Sequence, residues 1–238
     1  MSGIADLVYP AHCMACGASL PGTAAMCEAC ACKVQWIGHD SCRRCGAGVG
    51  LNRGVVEGCP ECAGRPPAYI ESSCAVAKYG DPLRAVILGL KFGGGLQAIP
   101  LLARLLTVRL NVTKLLADQR DWAVVPVPLA RADFQNRGFN QAAELSAQLA
   151  KTFDLRLECA LLRKSRSTKP QATLGHTERA GNLSGVFTCD TKRARRYQET
   201  GVLLVDDVMT TGATLSECAR TLHAAGVKRM RAAVVARG

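Results

Sequence analysis

The stretch from Gly201 to Thr214, GVLLVDDVMTTGAT, decides the fold. Its apolar run from Val202 to Val205 is typical of a strand buried in a parallel sheet. A helix is predicted from about Ala213 to Ala225, closed by Gly226. Open α/β sheets bind ligands at the carboxyl ends of their strands. The stretch therefore predicts an α/β fold with a ligand site between this strand and the next helix.

The residue types in this stretch suit a ribose 5-phosphate group. Asp206 and Asp207 follow the apolar run, and carboxylates accept hydrogen bonds from neighbouring sugar hydroxyls. The segment from Thr210 to Thr214 leads into a helix, whose first N–H groups favour an anion. A helix cap with a surface ion pair explains each part taken alone. The combination favours the ligand site, and the chain has no GxxxxGK or GxGxxG motif of another nucleotide fold.

The region before this stretch alternates helical and strand patterns. Helices are predicted after Asp81-Pro82 and from about Asn140 to Ala150, and strands from Trp122 to Val127 and near Met230 to Val235. Apolar residues make up 48% of the chain but aromatic residues only 5%, which favours helices packed on a sheet. We expect a parallel sheet flanked by helices.

Four CxxC pairs occupy the first quarter of the chain. Their cysteines are Cys13, Cys16, Cys27, Cys30, Cys42, Cys45, Cys59 and Cys62. Two four-cysteine sites follow, because both sulfurs of one pair reach a single ion and two pairs complete the tetrahedron that Zn²⁺ prefers. With no open coordination position, both ions are predicted to be structural. Iron–sulfur ligation, Cys32 in place of Cys30, His12 in place of Cys13, and sequential or crossed pairing remain open.

Glycine and proline usage predicts two domains. The cysteine-rich region has too few apolar residues to form a core without metal, and Pro66 and Pro67 form a stiff junction. We therefore expect a domain with two four-cysteine zinc sites over residues 1–66 and the α/β domain over 67–238. Residues 151–199 carry eleven Lys or Arg against five Asp or Glu, which predicts a mobile basic loop.

Charge and hydropathy limit the partners and the location. The net charge of +11 favours phosphorylated or polyanionic partners. No apolar run reaches the roughly 18 residues of a membrane span, and the N-terminus lacks the order of a secretory signal. The protein is predicted to be cytoplasmic, which also argues against disulfides.

The segment from Gly201 to Thr214 resembles the signature of type I phosphoribosyltransferases. The chain as a whole resembles the ComF family, whose members carry an N-terminal double zinc ribbon. The resemblance rests on Tyr79, Leu83, Ile87, Leu90-Lys91-Phe92, Val125-Pro126-Val127-Pro128 and Arg137-Gly138-Phe139-Asn140-Gln141. A later stretch of that family resembles Arg163, Thr168, Gln171, Arg179, Asn182 and Phe187.

The resemblance implies a site for phosphoribosyl pyrophosphate with Mg²⁺. Asp206 and Asp207 are expected to hold the ribose hydroxyls and, with Arg163, to serve catalysis. The expected substrate-binding residues that follow them are Val208, Met209, Thr210, Thr211, Gly212, Ala213 and Thr214. The candidates for the pyrophosphate side are Lys91, Pro128, Arg131 and Arg137.

Two functions follow from these expectations. The first is a phosphoribosyltransferase with an unidentified acceptor. The second is implied by the link of the ComF family to DNA uptake in natural competence. It is a factor that handles single-stranded DNA and contacts DNA-uptake proteins, with the nucleotide pocket as a sensor or scaffold. A glutamine-dependent amidotransferase fits worse, because Ser2 follows Met1 where that class needs a cysteine nucleophile. Transcriptional control is a further option, although no recognition helix is visible.

Overall fold

A five-stranded parallel sheet forms the centre of the molecule. The computed structural model describes residues 11–21, 24–50, 59–62, 67–93, 95–117, 121–165 and 185–238. The sheet order is β3-β9-β8-β4-β5. These strands are β3 (Ser72–Lys78), β4 (Ala123–Pro126), β5 (Arg156–Leu157), β8 (Val202–Met209) and β9 (Met230–Arg237). Two antiparallel pairs lie outside the sheet, β1 (Ala11–His12) with β2 (Ser19–Leu20) and β6 (Leu162–Lys164) with β7 (Phe187–Cys189).

Helices cover both faces of the sheet, as the apolar patterns predict. Seven helices are described: α1 (Glu28–Ala31), α2 (Leu83–Phe92), α3 (Ala98–Thr113), α4 (Arg131–Arg137), α5 (Gln141–Phe153), α6 (Thr191–Ala194) and α7 (Ala213–Ala224). Leu203 and Val205 of β8 pack on the face with α2, α3 and α5. Val202 and Leu204 pack on the opposite face with α7 and the β6–β7 pair. Strand alternation therefore sends successive β8 residues into two separate cores.

The cysteine-rich segment packs along the edge of the sheet at β3. Lys78 N donates to Gln35 O at 2.9 Å, and Ile37 N donates to Val76 O at 2.9 Å. Ser73 N donates to the carbonyl oxygen of Arg43 at 2.7 Å. These bonds satisfy backbone groups that an edge strand otherwise leaves unpaired.

Arg109 fastens the same segment to α3. Its side chain is buried, and Nη1 donates to Ile37 O at 2.9 Å and to Gly38 O at 2.7 Å. Nη2 donates to Ser41 Oγ at 2.6 Å. Burial lowers the pKa of Arg109. The guanidinium thus joins three acceptors of the cysteine-rich segment to the helix layer.

The structure corrects two expectations. Strand β8 continues through Asp206 and Asp207 to Met209, because β9 pairs with it as far as Arg237. Residues 151–199 are not one loop, since the β6–β7 pair and α6 lie within them. Apolar side chains such as Leu162 and Phe187 are buried there, which the count of basic residues does not reveal.

Two other expectations concern residues that lie partly outside the described part of the chain. Residues 63–66, next to the expected domain boundary, lie outside the described residues, as do 166–184 in the basic stretch. Within the described part of the chain, no helix has the length and apolar character to cross a bilayer.

Candidate functional site

Eight cysteines form two clusters with zinc-site geometry. The first contains Cys13, Cys16, Cys27 and Cys30, and the second contains Cys42, Cys45, Cys59 and Cys62. Within each cluster all four Sγ atoms lie within 4.8 Å of one another. The Cys16–Cys27 and Cys42–Cys62 sulfurs are 3.8 Å apart, and those of Cys45 and Cys59 are 3.5 Å apart. Four sulfurs at ~2.3 Å from a tetrahedral zinc ion are separated by about 3.8 Å, so the donor set fits Zn²⁺.

The clusters answer the pairing question left open by the sequence. Each site takes two CxxC pairs that are consecutive in the chain, so the ligands pair sequentially. The first cluster includes Cys30 and Cys13, and neither Cys32 nor His12 belongs to it. Four thiolates leave no position for a substrate, which is the arrangement of a structural ion.

The second zinc site lies directly against the sheet. Gly46 has φ +72°, and a Cβ atom there would stand 3.0 Å from the backbone of Cys74 and Ala75 in β3. A larger residue would therefore push the knuckle away from the strand. The metal site and the covered sheet edge are parts of one packing arrangement.

The two aspartates of β8 point to opposite faces of the sheet. Asp207 is 3% exposed and lies on the face of α2 and α5. Its Oδ2 accepts from Lys91 Nζ at 2.7 Å and from Gln141 Nε2 at 3.3 Å. A buried carboxylate with two such donors is well satisfied, so Asp207 is fixed in place by its neighbours.

A chain of contacts continues from Asp207 to the surface. Gln141 Oε1 accepts from Arg137 Nη1 at 3.5 Å, and the Arg137 guanidinium lies 5.3 Å from the centre of the Phe92 ring. Phe92 is 75% exposed and follows Lys91 directly. The contacts run from Lys91 through Asp207, Gln141 and Arg137 to Phe92, and so link α2, α4, α5 and β8. These contacts position the cations of Lys91 and Arg137 beside the carboxyl end of β8.

Asp206 has a different environment. It lies on the α7 face and is partly exposed, and its Oδ1 accepts from the backbone N–H of Asp207 at 2.9 Å. Burial raises the pKa of the Asp206 carboxyl well above its ordinary value, and the charge of Asp207 adds to the increase while Lys91 opposes it. Among the described residues, no ion pair joins this carboxyl group to a cation as the Lys91 ammonium is joined to Asp207. It is the acid that lines the adjoining cavity.

A small cavity of about 20 Å³ separates the end of β8 from the start of α7. It is lined by Asp206, Val208, Met209, Thr210, Gly212, Ala213, Thr214 and Leu215. Gly212 has φ +77°, and a Cβ atom there would meet Pro67 at 3.3 Å, so this turn requires glycine. Thr211 Oγ1 accepts from Ala213 N at 3.3 Å. The cavity holds about one water molecule, and its walls bring a carboxylate next to the start of a helix.

The other predicted residues lie around this centre. Pro128 and Arg131 lie after β4 and at the start of α4, and Arg131 is exposed. Arg163 is exposed on β6. A hydrogen bond from the backbone N–H of Arg193 is the main cause that lowers the pKa of Asp190, and the charge of Arg163 adds to it. No contact among the described residues joins these three to Asp206 or Asp207. Thr168, Gln171, Arg179 and Asn182, which carry part of the family resemblance, lie outside the described residues.

Sequence reasoning missed the roles of Gln141 and Phe92 in the site. Gln141 is buried at the first position of α5, where Asn140 caps the helix by accepting from Ala142 N at 3.0 Å. A buried polar residue at a helix start is a sign of a specific partner, but its partner lies 66 residues away. Only the folded sheet brings the two together.

Comparison with known proteins agrees with both halves of this architecture. A double zinc ribbon family model matches residues 4–63, and a phosphoribosyl transferase domain model matches residues 135–238. Competence protein F of Haemophilus influenzae is 28% identical over 201 residues, covering 84% of this chain and 86% of the relative. DNA utilization protein YhgH of Escherichia coli K12 is 30% identical over 165 residues, covering 69% and 70%.

The chain belongs to the ComF family. Competence protein ComFC of Bacillus subtilis is a further relative, 27% identical over 202 residues, covering 83% of this chain and 77% of the relative. As a ComF-family protein, the chain combines a ribbon with two structural zinc sites and a phosphoribosyltransferase domain. The zinc ribbon match favours zinc over an iron–sulfur cluster at the eight cysteines.

Proposed function

We propose that this protein binds phosphoribosyl pyrophosphate at the end of β8 and transfers its phosphoribosyl group to a nitrogen acceptor. One observation carries the proposal: a partly exposed acid, Asp206, and the start of α7 share one cavity inside a domain of phosphoribosyltransferase type. The proposal assigns the chemistry of the ligand to three parts of the site.

The first part is the turn from Thr210 to Thr214, which we assign to the 5-phosphate. Residues of this turn line the small cavity beside Asp206, and Gly212 allows the tight turn that leads into the helix. The N-terminus of the twelve-residue helix α7 favours negative charge. Val208 and Met209 would form the apolar wall, and Ala213 would leave room for the phosphate oxygens.

The second part is the acid pair, in which the two carboxylates have different tasks. Asp206 lines the cavity, so we assign it to the ribose hydroxyls. Asp207 is engaged by Lys91 and Gln141, so it acts mainly by holding these side chains and reaches the sugar only at its remaining lone pairs. This division sharpens the expectation that both acids bind the ribose.

The third part is the basic surface for pyrophosphate. Lys91 and Arg137 lie on the contact chain that ends at Phe92, and we assign the pyrophosphate to this side with Pro128 and Arg131. Arg163 would approach from β6.

In the reaction, the bond from C1 of ribose to a pyrophosphate oxygen breaks and its electron pair leaves with pyrophosphate. The lone pair of the acceptor nitrogen forms the new bond to C1.

Mg²⁺ prefers oxygen ligands, and the ligand oxygens together with Asp206 would supply them. Asp207 suits the ion less well, because its Oδ2 already accepts from Lys91 Nζ at 2.7 Å. Bound at this site, the ion would supply neutralising charge to the leaving pyrophosphate.

The test is calorimetry of the zinc-loaded protein with phosphoribosyl pyrophosphate and Mg²⁺, followed by pyrophosphate release in a panel of nucleobases and amines. Asp206→Asn should weaken binding, while the exposed Asp121→Asn is the matched control. Absence of binding by the wild-type protein would refute the proposal. Binding without release from any acceptor would leave only the ligand assignment and would refute the transferase activity.

A second proposed function is the handling of imported single-stranded DNA in the cytoplasm, with DNA-uptake proteins as partners. The relatives' names refer to competence and DNA utilization, and the net charge of +11 suits a polyanion. An oligothymidylate should bind at low salt, and its binding should weaken steeply as the salt concentration rises. No binding at low salt would remove this function.

We also propose that the boundary between the ribbon and the transferase domain lies between residues 66 and 67.

A further inference from the structure

A second cavity lies between the ribbon and the sheet domain, and we call it the seam cavity. Its volume is about 450 Å³. Polar and basic side chains dominate its walls, and the ones that matter here are Ser41, Arg43, Ser73, Thr113, Lys114 and Arg231. Ser41 and Arg43 belong to the ribbon, and the other four belong to β3, α3 and β9. A ligand here would contact both domains.

The seam cavity lies at the opposite end of the sheet from the candidate transferase site. Arg231 pairs with Ser72 of β3 and with Leu203 of β8, near the beginning of these strands. The transferase cavity begins beyond Asp206 and includes Thr210. The seven steps along the chain from Leu203 to Thr210 span ~23 Å. The two cavities are therefore separate, and a test of one is independent of the other.

The walls of the seam cavity carry excess positive charge. Glu71 also lines the cavity, but it is shared between Arg229 and Arg231, each at 3.4 Å. Arg43 and Lys114 are exposed, and neither forms an ion pair with a carboxylate of the described residues. Two cations without a carboxylate partner that line one cavity favour an anion in it.

A buried hydroxyl group provides an independent sign of a ligand. Ser73 is 4% exposed and lines the cavity, yet its Oγ has no hydrogen-bond partner among the described residues. Buried hydroxyl groups almost always have a partner, because burying one without a hydrogen bond is costly. On the facing wall, Ser41 Oγ is held by Arg109 Nη2. A ligand with oxygen acceptors would satisfy the Ser73 hydroxyl.

The cavity walls are held in place before any ligand binds. Ser73 N donates to the carbonyl oxygen of Arg43, and Arg109 joins α3 to the ribbon on the other side. Lys114 adopts the left-handed conformation at the end of α3, where its N–H donates to Asn111 O. A preformed site loses less conformational entropy on binding.

We propose that the seam cavity binds the phosphate group of a nucleotide or of a nucleic acid strand. Cations with hydroxyl donors are the groups that recognise phosphate oxygens. The volume exceeds that of a phosphate group and admits an attached nucleoside. The free mononucleotide and the strand share this chemistry, and the experiment separates them.

The experiment uses amide NMR of the zinc-loaded full chain, titrated with thymidine 5′-monophosphate and separately with a short oligothymidylate. The proposal expects shifts at residues 41–43, 72–73 and 113–115. Lys114→Glu should weaken binding about tenfold, the loss of one charge-assisted contact. Lys151→Glu, an equally exposed lysine on α5, is the matched control. Ser73→Ala should weaken binding without lowering the unfolding midpoint, because no protein partner is lost.

Each result has a defined meaning. Seam shifts with the mononucleotide identify a nucleotide site, and seam shifts with the oligothymidylate alone identify a strand site. Shifts confined to residues 206–214, or equal effects of the Lys114 and Lys151 variants, would overturn the proposal. Zinc content and circular dichroism establish that each variant is folded, and Lys114→Gln replaces the charge reversal if Lys114→Glu fails that check. Binding of phosphoribosyl pyrophosphate should stay unchanged in all of them, which separates this site from the transferase site.

Discussion

The ribbon and the sheet domain bury different kinds of atoms. The buried cluster of the second zinc site consists of Cys42, Cys45, Cys59, Cys62 and one alanine. The cores of the sheet domain consist mainly of Leu, Val, Ile and Ala side chains on both faces of the sheet. The ribbon therefore depends on metal–sulfur bonds, whereas the sheet domain depends on hydrocarbon burial. Charged groups are buried where the two regions meet and at the candidate site, and these are the points where the difference can be tested.

Removal of zinc should have the largest effect on stability, and the resulting unfolding should be confined to the ribbon. Structural zinc contributes on the order of 10 kcal/mol to small zinc-dependent folds. We expect chelation or Cys45→Ser to make residues 11–62 sensitive to protease while the helical signal of the sheet domain remains. Cys159→Ser is the control, since Cys159 is exposed and outside both clusters. Loss of both regions in a single transition would contradict the comparison.

Arg109→Met tests the contact between the regions. It keeps the aliphatic length but removes the donors to Ile37 O, Gly38 O and Ser41 Oγ. We expect a loss of about 3 kcal/mol in the free energy of unfolding, because buried acceptors lose a charged partner. Hydrogen exchange should also speed up at Lys78. Arg104→Met, an exposed arginine of the same helix, is the control. Equal stability of the two variants would mean that the hydrogen bonds of Arg109 do not stabilise the contact between the ribbon and α3.

Asp207→Asn tests a buried charge inside the sheet domain. It leaves Lys91, with a side chain 20% exposed, without its carboxylate at 2.7 Å. We expect a loss of about 2 kcal/mol in the free energy of unfolding. The ribbon should keep its zinc. Urea unfolding at neutral pH gives the measurement, and an unchanged midpoint would show that the ion pair contributes nothing to stability.

Asp206→Asn should have the smallest effect on stability, and of opposite sign. Because burial raises the pKa of Asp206 in the folded state, the native protein holds this proton more tightly than the unfolded chain. Wild-type stability should therefore fall as the pH rises above the ordinary aspartate range. The variant lacks this loss and should be more stable at neutral pH by on the order of 1 kcal/mol. Unfolding curves at acidic and neutral pH check the sign, and a variant destabilised at neutral pH would contradict it.

The sequence predicted what local patterns determine. The four CxxC pairs predicted both metal sites, since the two-residue gap is a local property of each pair. Apolar alternation and the Thr-Thr-Gly turn predicted β8, the turn and α7, although β8 is longer than expected. The different environments of Asp206 and Asp207 were not predicted. They depend on Lys91 and Gln141, which only the assembled sheet brings to Asp207.

The hydrogen bonds between the ribbon and β3 have a further consequence. At the other side of the sheet, β5 is only two residues long and exposed, so it offers little template for pairing. If the ribbon were lost, the seven-residue strand β3 would become an exposed edge strand that can pair with another chain. Metal depletion would then convert a monodisperse preparation into one that self-associates through intermolecular strand addition. We therefore expect zinc to protect this protein against aggregation as well as to hold the ribbon together.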